Sequence, residues 1–442
     1  MMQDNKKLLV SLGCLLAVTL GVGVLPAWGQ EGSAPGDLPE SKPQEQGIDR
    51  DLLEAAYAKA DAIEPLRSLL VARNGHLVSE RYFRGADRST LFNIKSVSKS
   101  FLSGLTGIAI KKGFLKGIDQ PVSEILPEYF ESTGIPGGVA IDERLLQDRP
   151  LTEIIGEILA SGEVVDPADI PPWHALMRAR ADTLRQKLTI RHLLTMTTGH
   201  AWVENAEPWT VAAAHELSSD WNRFFLELPF AARPGEKFIY TTAATHVLST
   251  AIARATTMST KAFADKHLFG PLGIKVKRWD TDFEGNHYGG SEMYFTARDM
   301  MKYGVLYAND GSWKGTQIIP AEWVHQSTSQ QIGVDSDEHY THIRDTRPEI
   351  SGYGFLWWLR KSGDFDTYIG WGYGGQFIIC VPDLDLVVVA TANFMARAGV
   401  QVADGVFELL DNEIIPSTGE QSTLTTSEGP EPADDDHDQA AQ

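Results

Sequence analysis

The stretch NIKSVSKSF, residues 93–101, holds the only Ser-x-x-Lys motif of the chain, formed by Ser96 and Lys99. From this stretch onward, apolar residues recur at offsets of three and four, which predicts a helix. Ser96 would lie in its first turn, near free backbone N–H groups and the positive end of the helix dipole. Since residues three apart share one face of a helix, Lys99 would lie beside the Ser96 hydroxyl.

The pairing of a serine with a lysine favours nucleophilic catalysis. A serine needs a neighbouring base to react at neutral pH. A lysine packed against Phe101 and Leu102 would be partly desolvated, which lowers its pKa towards the range of a general base. The motif alone leaves a second interpretation open, in which Ser96 only begins the helix and Lys99 lies at the surface.

Extended segments occupy both ends of the body of the chain. Residues 66–72 and 77–83 flank an Asn74-Gly75 turn, which predicts a β-hairpin. Short aromatic or β-branched runs, typical of strands, return near the other end at 355–359, 376–381 and 385–391. The region from about 111 to 300 is mostly helical in pattern. We therefore predict an α+β fold in which an antiparallel sheet built from both chain ends is flanked by helices, with a mostly helical region inserted.

The first 29 residues have the pattern of a secretory signal peptide. Two lysines precede an apolar run, and Ala27 and Gly29 are small residues at the −3 and −1 positions of a cleavage site. An uncleaved membrane anchor and a lipoprotein signal at Cys14 are the alternatives. We therefore expect an exported protein, periplasmic or secreted, with no stable membrane insertion after cleavage.

Two further segments are predicted to lie outside the folded domain. Residues 30–47 are rich in Gly, Pro, Ser and Glu and read as a flexible linker. Residues 416–442 hold seven acidic residues and no Lys or Arg, which predicts a disordered acidic tail. The remaining residues, 48–415, are expected to form one domain.

Composition and charge exclude several classes of protein. Of the 442 residues, 43% are hydrophobic and 22% charged, as in globular proteins. A net charge of −20 argues against nucleic-acid binding, because phosphate contacts need clustered Lys and Arg. Two cysteines, Cys14 and Cys380, cannot build a disulfide scaffold. The sequence has no His-Glu-x-x-His pattern, paired Cys/His spacing, G-x-S-x-G elbow or phosphate-binding loop. We therefore expect no metal and no cofactor.

Residues 93–101, placed just after an N-terminal hairpin, resemble the active-site segment of the serine β-lactamase and DD-peptidase superfamily. The similarity is greatest to the class C-related esterases and amidases, a group that includes 6-aminohexanoate-dimer hydrolase. Over about residues 48–415, other segments match family landmarks in the same order: 189–199, 234–240, 271–274, 296–300 and 372–376. The resemblance implies a β-lactamase/transpeptidase-like fold.

The resemblance also implies a role for each matching position. Ser96 would be the acylated nucleophile, and Lys99 would take its proton. Tyr240 would protonate the leaving group and then activate the deacylating water; a core aromatic is the other interpretation of this residue. The backbone N–H groups of Ser96 and Gly375 would form the oxyanion hole. The positions implied for substrate binding are Thr242, Trp371, Tyr373 and Gly374.

Two departures from the family pattern bear on the substrate. Penicillin-processing members carry an Asn that binds the substrate amide two residues after the tyrosine, where this chain has Thr242. They also carry a Lys-Thr-Gly strand whose Lys binds the substrate carboxylate. The aligned triplet here is Gly372-Tyr373-Gly374, or begins one place earlier at Trp371. Without the Asn and the Lys, we expect a neutral ester or amide as substrate, with little turnover of β-lactams.

The sequence thus predicts an exported serine hydrolase that cleaves a small ester or amide through an acyl-enzyme intermediate. A DD-peptidase or weak β-lactamase is one alternative, and a catalytically silent binding protein is another. Ser96 and Tyr240 are 144 positions apart, which is long for the family. This spacing predicts an insertion near 131–187 that roofs the cleft. The oligomeric state is left open.

Overall fold

The computed structural model describes residues 37–131, 173–204, 210–334, 349–396 and 399–420, together with isolated positions between 147 and 161. The predicted signal peptide, most of the insertion predicted near 131–187 and most of the acidic tail lie outside these ranges. Within the described ranges, we find no helix whose length and hydropathy would suit a membrane span.

The strands and helices of the described ranges follow in chain order. The strands are β1 (Leu66–Arg73), β2 (His76–Tyr82), β3 (Phe92–Asn93), β4 (Arg278–Trp279), β5 (Met293–Phe295), β6 (Ser312–Trp313), β7 (Thr316–Gln317), β8 (Ile350–Tyr353), β9 (Trp358–Ser362), β10 (Phe365–Gly372), β11 (Gln376–Val381) and β12 (Leu386–Ala392). The helices are α1 (Arg50–Ala62), α2 (Val97–Lys111), α3 (Trp173–Arg185), α4 (Ile190–Leu194), α5 (Val211–Leu217), α6 (Trp221–Leu226), α7 (Thr242–Thr256), α8 (Thr260–Ala264), α9 (Ala297–Ala308), α10 (Ala321–Ser327) and α11 (Gly399–Leu409).

The main sheet has seven strands in the order β2-β1-β12-β11-β10-β9-β8, and every neighbouring pair is antiparallel. The N-terminal hairpin therefore pairs with the last strand of the chain, as in the register Val71 opposite Val388. This confirms the predicted α+β fold with an antiparallel sheet built from both chain ends.

Helices cover both faces of this sheet, because its central strands are apolar on both sides. Every residue of β11 and β12 is buried. Ile378 of β11 faces α9, and the adjacent Phe377 contacts Phe407 of α11 on the other face. Gly304 lets α9 lie close to the sheet, since a Cβ there would be 2.6 Å from Val387 Cγ1. Helix α2 lies on the same side as α9, whose Tyr303 hydroxyl donates to the Ser100 carbonyl at 2.6 Å.

One predicted strand begins later than expected. The pattern predicts a strand over 355–359, but β9 starts at Trp358. The reason is that Leu356 has a left-handed φ of 63° and donates its N–H to the Leu194 carbonyl at 3.0 Å instead of joining the ladder. Trp357 and Trp358 consequently pack in different aromatic groups, Trp357 with Tyr307 and Trp358 with Tyr240.

The predicted boundaries at the two ends of the domain need correction. Residues 37–47, expected to belong to a flexible linker, pack along the edge strand β2, where the Ser41 N–H donates to the Leu77 carbonyl at 3.1 Å. At the other end, Ser417 is buried and its carbonyl accepts the Asp49 N–H at 2.7 Å, so the fold continues past 416. Both segments satisfy backbone groups that would otherwise be unpaired, and composition does not reveal such partners.

Candidate active site

Ser96 is positioned by a turn that leads directly into α2. The Asn93 side chain accepts the Lys95 N–H at 3.1 Å, and Lys95 has a left-handed φ of 49°. The chain therefore reverses at Lys95, and Ser96 enters the helix with a φ of −67°. Further along, α2 rests against Gly370 of β10, where a Cβ would be 3.0 Å from Ser100 Oγ. This close approach fixes the first turn of α2 against β10.

Lys99 lies one turn further along α2, on the same side as Ser96. Its Nζ is 2.8 Å from Ser96 Oγ, 2.9 Å from Thr242 Oγ1 and 3.0 Å from the Gly290 carbonyl. The side chain is buried, with 1% of its surface exposed. The predicted surface-lysine alternative therefore does not apply, and the amine is held by three oxygen atoms.

Burial makes Lys99 a weaker base than a lysine in water. Desolvation disfavours the ammonium form and lowers the pKa of Lys99 to about 8, while the carboxylate of Glu204 acts in the opposite direction. A pKa near 8 leaves a substantial neutral fraction at neutral pH, whereas an ordinary lysine is almost fully protonated. Lys99 can therefore accept a proton from its neighbour Ser96.

Tyr240 lies beside Ser96, two residues before α7. Its hydroxyl is hydrogen bonded to Ser96, and burial raises its pKa above the ordinary tyrosine value. The ring stacks on Trp358 with 5.5 Å between centroids, and Lys99 Nζ is 5.0 Å from the Tyr240 centroid. The preceding Ile239 donates its N–H to the Met196 carbonyl at 2.8 Å, so the 189–199 segment holds the Tyr240 segment in place.

The turn between β10 and β11 carries the other predicted site residues. Tyr373 is 63% exposed, and Gly374 and Gly375 both have positive φ. The Gly375 N–H donates to the Gly372 carbonyl at 3.3 Å and closes the turn. Because this donor is already used, an oxyanion hole at Gly375 would require the turn to release it, and that role stays a prediction.

Trp371 is half-buried and belongs to an aromatic group on β10. Its ring centroid lies 5.8 Å from that of Trp358, 5.7 Å from Phe377 and 5.5 Å from Phe407. Trp358 in turn stacks on Tyr240. Trp371 is thus connected to the candidate site through one intervening ring, and its contact with substrate stays a prediction.

The structure brings together Ser96, Lys99, Tyr240 and Thr242, and it adds two groups that sequence reasoning missed. The Gly290 carbonyl accepts from Lys99, and no sequence signal could have found it, because every residue has a carbonyl. Glu204 accepts the Thr242 N–H at 2.8 Å and also the Thr242 hydroxyl. Its only signal in the sequence is its place shortly after the 189–199 landmark.

An ion pair lies next to Ser96. Lys95 Nζ is 2.9 Å from Glu292 Oε1 and 4.2 Å from the centroid of the Phe394 ring. Glu292 also accepts from the Asn93 side chain at 2.8 Å and has a left-handed φ of 56°. The pair links the turn before Ser96 to the segment that supplies the Gly290 carbonyl.

Across the described ranges, no cluster of three or more His, Cys, Asp or Glu residues is arranged as metal ligands.

Comparison with known families gives one match that spans most of the chain. A family model described as Beta-lactamase matches residues 60–412. An uncharacterised protein of Alkalihalophilus pseudofirmus is 22% identical over 365 residues, which are 74% of this chain and 83% of the relative.

Solved structures with similar folds include hydrolases and a penicillin-binding protein. A Bacillus anthracis protein provisionally named a 6-aminohexanoate-dimer hydrolase has a TM-score of 0.56 at 17% identity and covers 86% of this chain and 87% of its own. EstCE1, described as a hydrolase with promiscuous acyltransferase activity, has a TM-score of 0.56 at 18% identity, covering 81% and 99%. A penicillin-binding protein from Bacillus halodurans has a TM-score of 0.51 at 16% identity, covering 80% and 98%. At these identities the likeness concerns the fold.

Proposed function

The chain belongs to the Beta-lactamase family, and from that premise we propose that it is a serine hydrolase that cleaves a small neutral ester or amide through an acyl-enzyme intermediate. The observation that carries this proposal is the contact of 2.8 Å between Ser96 Oγ and the buried amine of Lys99. The family's members are serine hydrolases, so the contact has a chemical use. A purely structural lysine would gain nothing from burial beside a serine hydroxyl.

The proposed reaction has two stages. In acylation, Lys99 takes the Ser96 proton while Oγ attacks the carbonyl carbon, and Tyr240 supplies a proton to the leaving oxygen or nitrogen as the scissile bond breaks. In deacylation, Tyr240 removes a proton from water, the hydroxide attacks the acyl carbon, and Ser96 leaves with a proton returned from Lys99. The Ser96 backbone N–H is one proposed donor to the oxyanion.

Thr242 supports a neutral ester or amide over a β-lactam. Its hydroxyl accepts from Lys99 and donates to Glu204, so it has no hydrogen left for the amide group that the Asn of the penicillin-processing members binds. At the place of the lysine-bearing strand of the penicillin-processing members, this chain has Gly372, Tyr373 and Gly374, or a triplet that begins one place earlier at Trp371, and none of these residues is cationic. A substrate carboxylate therefore lacks a partner there. The provisional name of the Bacillus anthracis protein, a 6-aminohexanoate-dimer hydrolase, and the acyltransferase activity described for EstCE1 support a small acyl substrate.

The proposal is tested by comparing two substrates and one covalent probe. We expect the purified protein to hydrolyse a short-chain nitrophenyl ester faster than a chromogenic cephalosporin, and to be labelled by a fluorophosphonate. Mass spectrometry of the trapped intermediate should place the acyl group on the peptide containing Ser96. Faster turnover of the cephalosporin than of the ester would favour a β-lactamase. A protein that is neither labelled nor able to turn over any substrate would favour the silent binding protein.

Export and signal cleavage are proposed on the sequence pattern of residues 1–29, and N-terminal sequencing of the secreted product tests them.

The pH dependence of acylation follows from the lowered pKa of Lys99. Lys99 acts as a base only when neutral, so kcat/KM for the nitrophenyl ester should rise about tenfold per pH unit at low pH and level off above about pH 8. An ordinary lysine would place that plateau more than two units higher. A profile of kcat/KM recorded from pH 5 to 10 measures this rise, and a value that still increases tenfold per unit at pH 10 would contradict the assignment.

Replacing Tyr240 by phenylalanine should slow deacylation more than formation of the acyl-enzyme. The ring keeps its stacking on Trp358, but the hydroxyl bonded to Ser96 is lost, and water then lacks its base. We expect about a 100-fold fall in kcat and accumulation of an acyl-enzyme that mass spectrometry detects. Tyr353→Phe is the matched control, because it removes a tyrosine hydroxyl from a ring that packs against the Tyr240 ring. Equal acyl-enzyme levels in the wild type and in Tyr240→Phe would refute the role of Tyr240.

A further inference from the structure

A chain of hydrogen bonds leads from Lys99 to a carboxylate. Lys99 Nζ donates to Thr242 Oγ1 at 2.9 Å, and the Thr242 hydroxyl donates to Glu204 Oε1. The other carboxylate oxygen, Oε2, accepts the Thr242 backbone N–H at 2.8 Å and the Trp202 indole N–H at 2.6 Å. Glu204 is therefore held at the N-terminus of α7 by three donors, and Thr242 lies between it and Lys99.

The direction of these hydrogen bonds is fixed by which groups can donate. A carboxylate and a carbonyl only accept, whereas a hydroxyl has one hydrogen to give. Glu204 takes the hydrogen of Thr242, so the Thr242 oxygen can only accept from Lys99. The Gly290 carbonyl, 3.0 Å from Nζ, can also only accept. A neutral amine has two N–H bonds and one lone pair, and these two acceptors use both N–H bonds. The lone pair then points to the third neighbour, Ser96 Oγ at 2.8 Å.

We propose that Glu204 is a positioning residue that, through the Thr242 hydroxyl, directs the lone pair of Lys99 at Ser96 and supplies the counter-charge when Lys99 takes the serine proton. The inference rests on the proposed function and deepens it. When the proton moves from Oγ to Nζ, the new ammonium keeps its bonds to Thr242 and Gly290. The negative charge of Glu204 then lies one hydroxyl away in a buried site, where charge interactions are stronger than in water.

Other charged groups face the same region, and they make different contacts. Glu216 lies on α5, where partial desolvation and the nearby charges of Glu204 and Glu292 raise the pKa of its carboxyl. Glu292 is paired with Lys95 at 2.9 Å. Among Glu204, Glu216 and Glu292, Glu204 is the carboxylate that accepts hydrogen bonds from Thr242 in the part of the chain that the structure describes. Burial lowers the pKa of Lys99, and the negative charge of Glu204 raises it, as expected for a carboxylate close to the amine.

The test is the pH profile of acylation in Glu204→Gln. An amide can donate to Thr242, whose hydrogen can then turn towards the Lys99 lone pair and block it. We expect the plateau of kcat/KM to fall about 10- to 100-fold. We also expect the acidic limb to move about 1 unit to lower pH, because a negative charge near the ammonium is lost. Glu216→Gln is the matched control: it removes a nearby charge without touching Thr242, so its plateau should stay within about twofold of the wild type.

Substitutions at Thr242 test the same series of hydrogen bonds, and they give a result even if Glu204→Gln does not fold. Thr242→Val should lower the plateau of kcat/KM as Glu204→Gln does. Thr242→Ser keeps the hydroxyl and should have a higher plateau than Thr242→Val. When Thr242→Val is already present, adding Glu204→Gln should lower the plateau of kcat/KM by less than about twofold further, because the link between Glu204 and Lys99 is already broken. Full additivity, or a Glu204→Gln profile that superimposes on the wild type, would overturn the inference. A wild type that fluorophosphonate does not label would instead overturn the proposed function itself.

Discussion

Replacing Ser96 by alanine is expected to abolish fluorophosphonate labelling and to lower kcat/KM for a nitrophenyl ester by about 10⁴-fold or more. The Ser96 oxygen is the atom to which both Lys99 and Tyr240 are hydrogen bonded, so its removal leaves the proposed base and acid without the proposed nucleophile. The fold should be preserved, because the Ser96 side chain makes no capping hydrogen bond to α2. Loss of activity can therefore be read as loss of chemistry, with the melting temperature as the check.

Ser98→Ala is the matched control for this experiment. Ser98 is buried two residues further along the chain, and its Oγ donates to the Lys95 carbonyl at 2.7 Å. The substitution removes the same hydroxyl group from the same helix and leaves Lys99 and Tyr240 untouched. We expect Ser98→Ala to be labelled by the probe. Labelling of Ser96→Ala at the wild-type rate would show that another residue is the nucleophile.

The largest expected effect on stability comes from Arg360→Met. Arg360 in β9 is buried, and its guanidinium forms two hydrogen bonds with Asp411, at 3.0 Å and 2.5 Å. It also lies 4.6 Å from the centroid of the Phe407 ring in α11. Methionine would fill a similar volume but leave the Asp411 carboxylate buried without its partner. Breaking a buried pair in this way costs about 3–5 kcal/mol of unfolding free energy.

Urea unfolding followed by circular dichroism measures this cost. The double variant Arg360→Met with Asp411→Leu is the informative comparison, because it removes both charges. We expect it to recover most of the stability lost in the single variant, since a buried pair replaced by apolar groups is often close to neutral. An unfolding midpoint for Arg360→Met equal to that of the wild type would mean that Asp411 finds other compensation.

Local patterns in the sequence were sufficient for the elements that depend on neighbouring residues. The Asn74-Gly75 turn fixes the hairpin of β1 and β2, since both residues adopt positive φ there. Thr296 caps α9 through a partner only three residues away, with its Oγ1 accepting the Asp299 N–H at 3.1 Å. The three-residue spacing of Ser96 and Lys99 placed both on one side of α2. In each case a few adjacent residues carry the whole physical reason.

The remaining features depend on groups distant in the chain. Glu204 reaches Thr242 only because the 189–199 segment packs against the residues before α7. The resemblance identified Thr242 as a departure from the family, but its use as a link to a carboxylate required the partner to be seen. The turn that occupies the Gly375 N–H likewise follows from the geometry of two strands. Tertiary contacts decide these details, and propensity does not encode them.

The pairing of β1 with β12 has a consequence for how the protein is made. The two strands are roughly 320 positions apart, so the sheet has a very high contact order and should form slowly. The ribosome releases the β1–β2 hairpin long before its neighbour exists, and the hairpin presents an open edge until residue 392 has emerged. Ser96 likewise emerges well before Tyr240, and both emerge before β10, against which α2 rests. The proposed active site therefore cannot assemble until nearly the whole chain has been translated, and a prematurely terminated chain is expected to lack the proposed activity.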